Sequence, residues 1–406
     1  MRRDLLIVIW TGVGKPARKS AASGILPSLL GRSAREFVLD SASSLKPAKI
    51  TLHGEAGEKR ATRSADVILM AKSHFKNKKR GQILLIDARF PLLSAPTLRT
   101  LLNRHQKEEN ALTMLSFQGQ EPAVAVEFAV LLRAARSLAG RSASSGFLKE
   151  FRLALAGKAG ITGTVELKRP EEALALDSPD DVARILQALR AKKIRRLQRR
   201  GAIILDPAST WIDWDTRIGR GTVIYPSVVI EGRSLIGKQC RIYPFVHLID
   251  TRVGDGARIL SSTMLEGSIV EADAQVGPFS HFRPNTLVRS KAKVGNFVEM
   301  KNTVFGRGSK AGHLSYLGDC QVEDDVNIGA GTITCNYDGF KKSRTVIERG
   351  AFIGSGTELV APVRVGRNAY VGAGSTITKN VSPEALAFAR CRQIEKRGWA
   401  RRRLRK

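Results

Sequence analysis

The 406-residue chain is short of cysteine, of aromatic residues and of long apolar runs. Its four cysteines, Cys240, Cys320, Cys335 and Cys391, form no C-x-x-C pair. That scatter argues against a zinc site or a disulfide framework and makes a reducing cytoplasm the expected setting. The first apolar run, Leu5 to Trp10, holds six residues, too few for a signal peptide and far below the roughly 20 of a spanning helix. It reads instead as a buried strand, and no later stretch is long enough to span a bilayer. Aromatics make up 6% of the chain, and the basic runs lack the interleaved rings that stack on bases. Acids are also scarce: 37 against 67 Lys and Arg, a formal charge of +30.

What is present describes a globular chain. Hydrophobic residues make up 43% and charged residues 26%, and the length suits two or three domains. The basic excess keeps a nucleic-acid-binding or scaffolding class open. It falls mainly in residues 1–200, with 37 basic and 18 acidic groups against 30 and 19 in the remainder.

A repeat dominates the second half. Aliphatic residues recur every six positions through Ile212, Ile218, Ile224, Ile230, Ile236, Ile242 and Leu248. The beat resumes at Val253 and Ile259, through Val270, Val276, Phe282, Val288 and Val294, and again from Ile353 to Ile377. A period of six fits neither a helix nor a plain alternating strand. It fits a triangular parallel β-helix of about nine coils, each face one short strand with its aliphatic residue inward. Stacking on neighbours then stabilises coils that cannot bury their own apolar face. The beat breaks between residues 334 and 346, either an extruded loop carrying binding groups or a tolerated insertion.

Residues 1–176 read as a smaller α/β domain. Strands are expected at 5–10 and 83–87, and helices at 35–44, 97–106 (after Pro96) and 127–138. The first strand enters Thr11-Gly12-Val13-Gly14-Lys15, a turn where a phosphate could rest. Residues 142–146 (SASSG) read as a mobile loop. Residues 180–200 read as a helix capped by Ser178 and ending before Gly201, its last turns basic. That helix is a connector or a docking stripe. The domains expected are 1–176, a linker helix 177–201, a β-helix 202–385 and a basic tail 386–406.

Among six histidines, His313 stands out in Lys310-Ala311-Gly312-His313-Leu314-Ser315-Tyr316-Leu317-Gly318-Asp319. An imidazole titrating near neutrality can take a proton from an amine or hydroxyl nucleophile. Arg283, Glu299 and Lys301 stand nearby, and converging cations would hold a phosphate. Residues 327–339 (NIGAGTITCNYDG) are rich in small residues, which either admit a ligand to the backbone amides or only turn corners.

These segments, with Gly295-Asn296-Phe297-Val298-Glu299-Met300-Lys301, closely resemble the bacterial bifunctional enzymes that make UDP-N-acetylglucosamine. Those join glucosamine-1-phosphate N-acetyltransferase to N-acetylglucosamine-1-phosphate uridylyltransferase. The resemblance is dense from residue 206 to 399. It implies a shortened nucleotide-diphospho-sugar transferase-like α/β domain followed by a left-handed β-helix. It also implies a homotrimer with acetyl-transfer sites shared between subunits. It makes His313 the general base, with Glu299 beside it. Arg283, Lys301, Tyr316, Asn327 and Lys342 match residues that hold the sugar phosphate. Ala330, Asn336, Tyr337, Ser355, Ala373 and Arg390 match those along acetyl-CoA, the implied co-substrate. Neither a membrane nor nucleic acid is an expected partner.

The N-terminal half departs from the same family at its chemistry. The family's first turn ends in a phosphate-contacting Thr-Arg pair, absent from Trp10-Thr11-Gly12-Val13-Gly14-Lys15-Pro16, and its later Pro-Lys appears as Pro27-Ser28. A metal-binding Asp is replaced by Arg89 in Asp87-Ala88-Arg89-Phe90-Pro91-Leu92. An arginine cannot ligate Mg²⁺, so the expectation is no metal and no uridylyl transfer.

Overall fold

The computed structural model describes residues 2–10, 29–53, 64–76, 81–138, 148, 155 and 160–400. It divides into two units, Met1–Lys192 and Lys193–Lys406. The glycine-containing turn at 11–15, the Pro27-Ser28 pair, the 142–146 segment and the basic residues 401–406 lie outside the described residues.

In the first unit, a six-stranded sheet has the order β2-β1-β3-β5-β4-β6. Its strands are β1 (Arg2–Trp10), β2 (Pro47–His53), β3 (Gln82–Asp87), β4 (Leu112–Phe117), β5 (Gln120–Glu127) and β6 (Thr162–Glu166). β5 runs antiparallel to β3 and β4, whereas β1 is parallel to β2 and β3. The continuous apolar run of β1 is buried on both faces. Leu5, Ile7 and Ile9 pack with helices α1 (Ala34–Ser43) and α3 (Ala95–Lys107). Leu6, Val8 and Trp10 pack with α2 (Ser64–His74) and α4 (Phe128–Leu138). Helix α3 starts before Pro96 rather than after it. The Ser94 hydroxyl accepts from the Thr97 amide, and proline is tolerated in a first turn whose N–H groups have no helical partner. Glu127 closes β5 instead of opening α4.

The second unit is a left-handed parallel β-helix with sheets of eleven, ten and nine strands. Every aliphatic position named in the repeat is buried. On the first sheet Ile224, Ile242, Ile259, Val276 and Val294 stack in register, each over the next. The prism runs beyond the expected beat, from Ile203–Ile204 to Leu386–Ala387. Its corners are sealed by hydroxyls that donate to carbonyls of the next coil, as Thr222 does to Gly237 and Ser280 to Gly295. Buried polar atoms are thereby satisfied at these turns, whereas the buried Thr263 and Thr345 hydroxyls have no hydrogen-bond partner among the described residues.

Helix α5 (Pro179–Arg199) leads into the prism. The Ser178 hydroxyl accepts from the Asp181 amide, and Gly201 follows at φ +90°. The boundary between units lies inside this helix because Ile194 and Leu197 belong to the prism core. Lys193 is buried beside them and donates to the Trp214 and Thr216 carbonyls at 2.7 and 2.6 Å.

Candidate active site

His313 ends the strand Lys310–His313, in register with Asn296 on the preceding coil. Its ring is exposed and makes no hydrogen bond or ion pair within the chain among the described residues. Beside it, Gly295 passes so close to Gly312 that a Cβ would fall on the Gly312 carbonyl oxygen.

Leu314 then turns the corner at φ 47° and 61% exposure. Phe279, Phe297 and Leu314 turn this edge on three successive coils: the Phe297 amide donates to the Phe279 carbonyl and the Leu314 amide to that of Asn296. Phe279 and Phe297, at φ 54° and 57°, stack with centroids 5.4 Å apart. Left-handed backbone at a bulky residue costs about 1–2 kcal/mol, so these exposed side chains are held against their preference. Below Leu314 the same corner is turned by Gly331, Gly356 and Gly374. The large apolar edge thus gives way to small corner residues at the level of His313.

The second sheet carries the charged groups. Glu299 lies in register between His281 and Tyr316, and accepts from the Arg283 guanidinium at 3.4 Å. Lys301 ends the same strand and meets Lys342, which reaches in from the loop after Cys335. The neighbouring Lys342 ammonium, then the charge of Arg283, hold the Lys301 ammonium below its ordinary pKa, while Asp319 opposes the shift. Burial raises the Asp319 carboxyl, but Asn302 and Asn336 amides and the Lys342 and Lys301 charges outweigh it, so its pKa falls. This loop is ordered by its own contacts. Tyr337 bridges Lys342, Asp338 accepts from the Phe340 and Lys341 amides, and Asn336 donates to Asp319.

Arg283, Lys301 and Lys342 therefore converge, with Glu299 and Tyr316 on the same sheet. Asn327 stands on the first sheet, in the row of Lys310, and does not join them within one chain. Ala330, Ser355 and Ala373 stack one per coil: Gly356 donates to the Ala330 carbonyl at 2.7 Å and Gly374 to Ser355 at 2.8 Å. Arg390 continues the column by donating to the Ala373 carbonyl at 2.8 Å. Tyr337 is exposed on the loop, whereas Asn336 is buried and committed to Asp319. Asp319 and Asn302 were not singled out by the sequence, though both take left-handed φ, where Asp and Asn are favoured.

Comparison with known proteins decides the family. The bifunctional protein GlmU of Thermotoga maritima is 34% identical over an alignment of 438 positions, covering 95% of this chain and 96% of that protein. The chain belongs to the GlmU family. The GlmU of Fervidobacterium nodosum is 33% identical over 98% of this chain and 97% of its own length. That of Thermotoga petrophila reaches 50% over 213 residues, 52% of this chain and 48% of that protein. The bacterial transferase hexapeptide (six repeats) family model matches residues 344–379. Like its GlmU relatives, the chain is a transferase. Among the described residues no helix is long and apolar enough to cross a membrane.

At the carboxyl end of β3, the residues of this GlmU-family chain do not suit a metal ion. The Asp87 carboxylate accepts from Arg89 Nη2 at 2.8 Å, from Nε at 3.1 Å and from the Arg89 amide at 2.9 Å. Arg89 Nη1 donates to Asp177 at 2.7 Å. Among the described residues no three His, Cys, Asp or Glu side chains gather as metal ligands.

Proposed function

We propose that this GlmU-family protein is an acetyl-CoA-dependent glucosamine-1-phosphate N-acetyltransferase of the cytoplasm, and that its uridylyl transfer is lost. The observation that carries the reading is the convergence of Arg283, Lys301 and Lys342, beside a coil whose exposed His313 is unengaged. Three cations face only two carboxylates, Glu299 and Asp319, and the positive excess suits a phosphate, with the Arg fork adding direction. Glu299, Tyr316 and Asn327 complete the sugar pocket. Ala330, Ser355 and Ala373 leave a channel for the pantetheine arm of acetyl-CoA, flanked by Asn336, Tyr337 and Arg390.

The chemistry is direct transfer. The neutral sugar amine attacks the thioester carbonyl, a C–N bond forms, and His313 takes the ammonium proton. The C–S bond breaks, and the proton passes to the departing CoA thiolate. Holding both substrates against rigid coils supplies the orientation term. Homotrimer formation is part of this reading. The exposed apolar edge of Phe245, Phe279, Phe297 and Leu314 supports burial against another copy. That would let a neighbour bring Asn327 to the sugar.

The test is thiol release from acetyl-CoA by the purified protein. Release is expected only with glucosamine-1-phosphate present, and release independent of the sugar, or none at all, would sink the proposal. A second reading, a bifunctional enzyme, has in its favour that the GlmU relatives are bifunctional proteins. UTP-dependent pyrophosphate release with N-acetylglucosamine-1-phosphate and Mg²⁺ would establish it.

A further inference from the structure

We propose that the Arg89 guanidinium is a built-in counter-cation at the carboxyl end of β3, holding the place between two carboxylates where a divalent ion would sit. The inference deepens the proposed loss of uridylyl transfer, and its test does not depend on that activity. Asp87 and Asp177 lie on segments 90 residues apart in sequence, one closing a central strand and one just before α5. Nothing in the fold requires two carboxylates to meet unless a cation lies between them. Arg89 is that cation, and both edges of its fork are spent: Nε and Nη2 on Asp87, Nη1 on Asp177.

The site is closed on the Asp87 side, while the Asp177 carboxylate is 49% exposed. Asp87 is 5% exposed, and the Arg89 carbonyl accepts from the Leu176 amide at 2.8 Å. Two contacts therefore tie the end of β3 to the segment before α5. Burial works against the guanidinium charge, yet the hydrogen bonds and charges of Asp87 and Asp177 outweigh it and raise its pKa. The positive charge is thus permanent at any working pH. A Mg²⁺ ion needs near-octahedral oxygen ligands at about 2.1 Å. Here N–H groups point at the same oxygens, and a fixed positive charge would repel a second cation. A phosphate is no better placed, because the fork has no free edge and two carboxylates face it.

The experiment is thermal unfolding of the full chain, without substrates, in the presence and absence of about 5 mM MnCl₂, well above ordinary millimolar-range site affinities. Wild type is expected to show no Mn²⁺-dependent rise in Tm. R89M leaves the buried Asp87 unpaired and is expected to lose about 5 °C. R89D adds a third carboxylate, and is expected to lose a similar amount and to recover most of it with Mn²⁺. An equal Mn²⁺ response in wild type, or no recovery in R89D, overturns the proposal. If R89D does not fold, a Mn²⁺ titration of wild type followed by electron paramagnetic resonance decides. No site tighter than about 1 mM supports the built-in cation, and a tighter one overturns it.

Discussion

Lys301 and Lys342 bring two ammonium groups next to each other, and Lys342 holds the Lys301 pKa below its ordinary value. The pair tolerates this only if one gives up its proton or an anion lies between them. The repulsion should be visible without any assay of turnover. Lys301→Met is expected to leave the Tm of the free protein unchanged or about 1 °C higher. The same change should abolish the stabilisation that glucosamine-1-phosphate gives wild type. A thermal-shift titration measures both. A variant that loses Tm but keeps the ligand response would remove Lys301 from the phosphate site.

His313 is proposed as the base on exposure, position and resemblance. Its replacement by Ala is expected to lower kcat for acetyl transfer at least 100-fold while leaving CoA affinity within about twofold. Steady-state thiol release and calorimetric titration of CoA separate the two. A fall in affinity that matches the fall in turnover would assign His313 to binding.

The prism was legible in the sequence because its inward residues face no competing demand. Ile224, Ile242 and Ile259 repeat at the period that the geometry imposes, and each lands in the core. The first unit was less legible. β2 (PAKITLH) alternates polar and apolar residues at a sheet edge, and β4 and β5 form a hairpin whose Gln118-Gly119 turn was not recognised. Helix α3 was delayed by one wrong inference, that Pro96 must precede the helix. The candidate site was legible residue by residue through resemblance alone. The convergence of Lys342 with Lys301 depends on how the loop folds back through Asn336 and Asp319, and no spacing in the sequence reveals that.

Gly295 and Gly312 are neighbours with opposite tolerances. A Cβ on Gly295 would strike the Gly312 carbonyl oxygen, which is backbone and cannot yield without moving His313. A Cβ on Gly312 would meet nothing within 4 Å. Gly295→Ala is therefore expected to lower stability by about 2 kcal/mol and to lose most acetyl transfer, whereas Gly312→Ala keeps wild-type stability. Urea unfolding of the two variants makes the comparison, and equal losses would contradict the close approach.

Lys193 gives the chain a pH dependence of a known sign. Burial pushes its pKa down to about 8, with the Arg196 charge adding to the shift and Asp215 opposing it. A lysine whose folded pKa lies below its unfolded value of 10.5 binds fewer protons when folded. Its burial therefore costs stability below about pH 8, and the cost is relieved as the pH rises towards 10.5. The Trp214 and Thr216 carbonyls favour the ammonium and moderate the effect. Between pH 7.5 and 9.5 wild type is expected to gain ~1–2 kcal/mol relative to Lys193→Met, read from urea unfolding at both pH values. Parallel pH profiles for the two proteins would mean that the two carbonyls fully offset the burial.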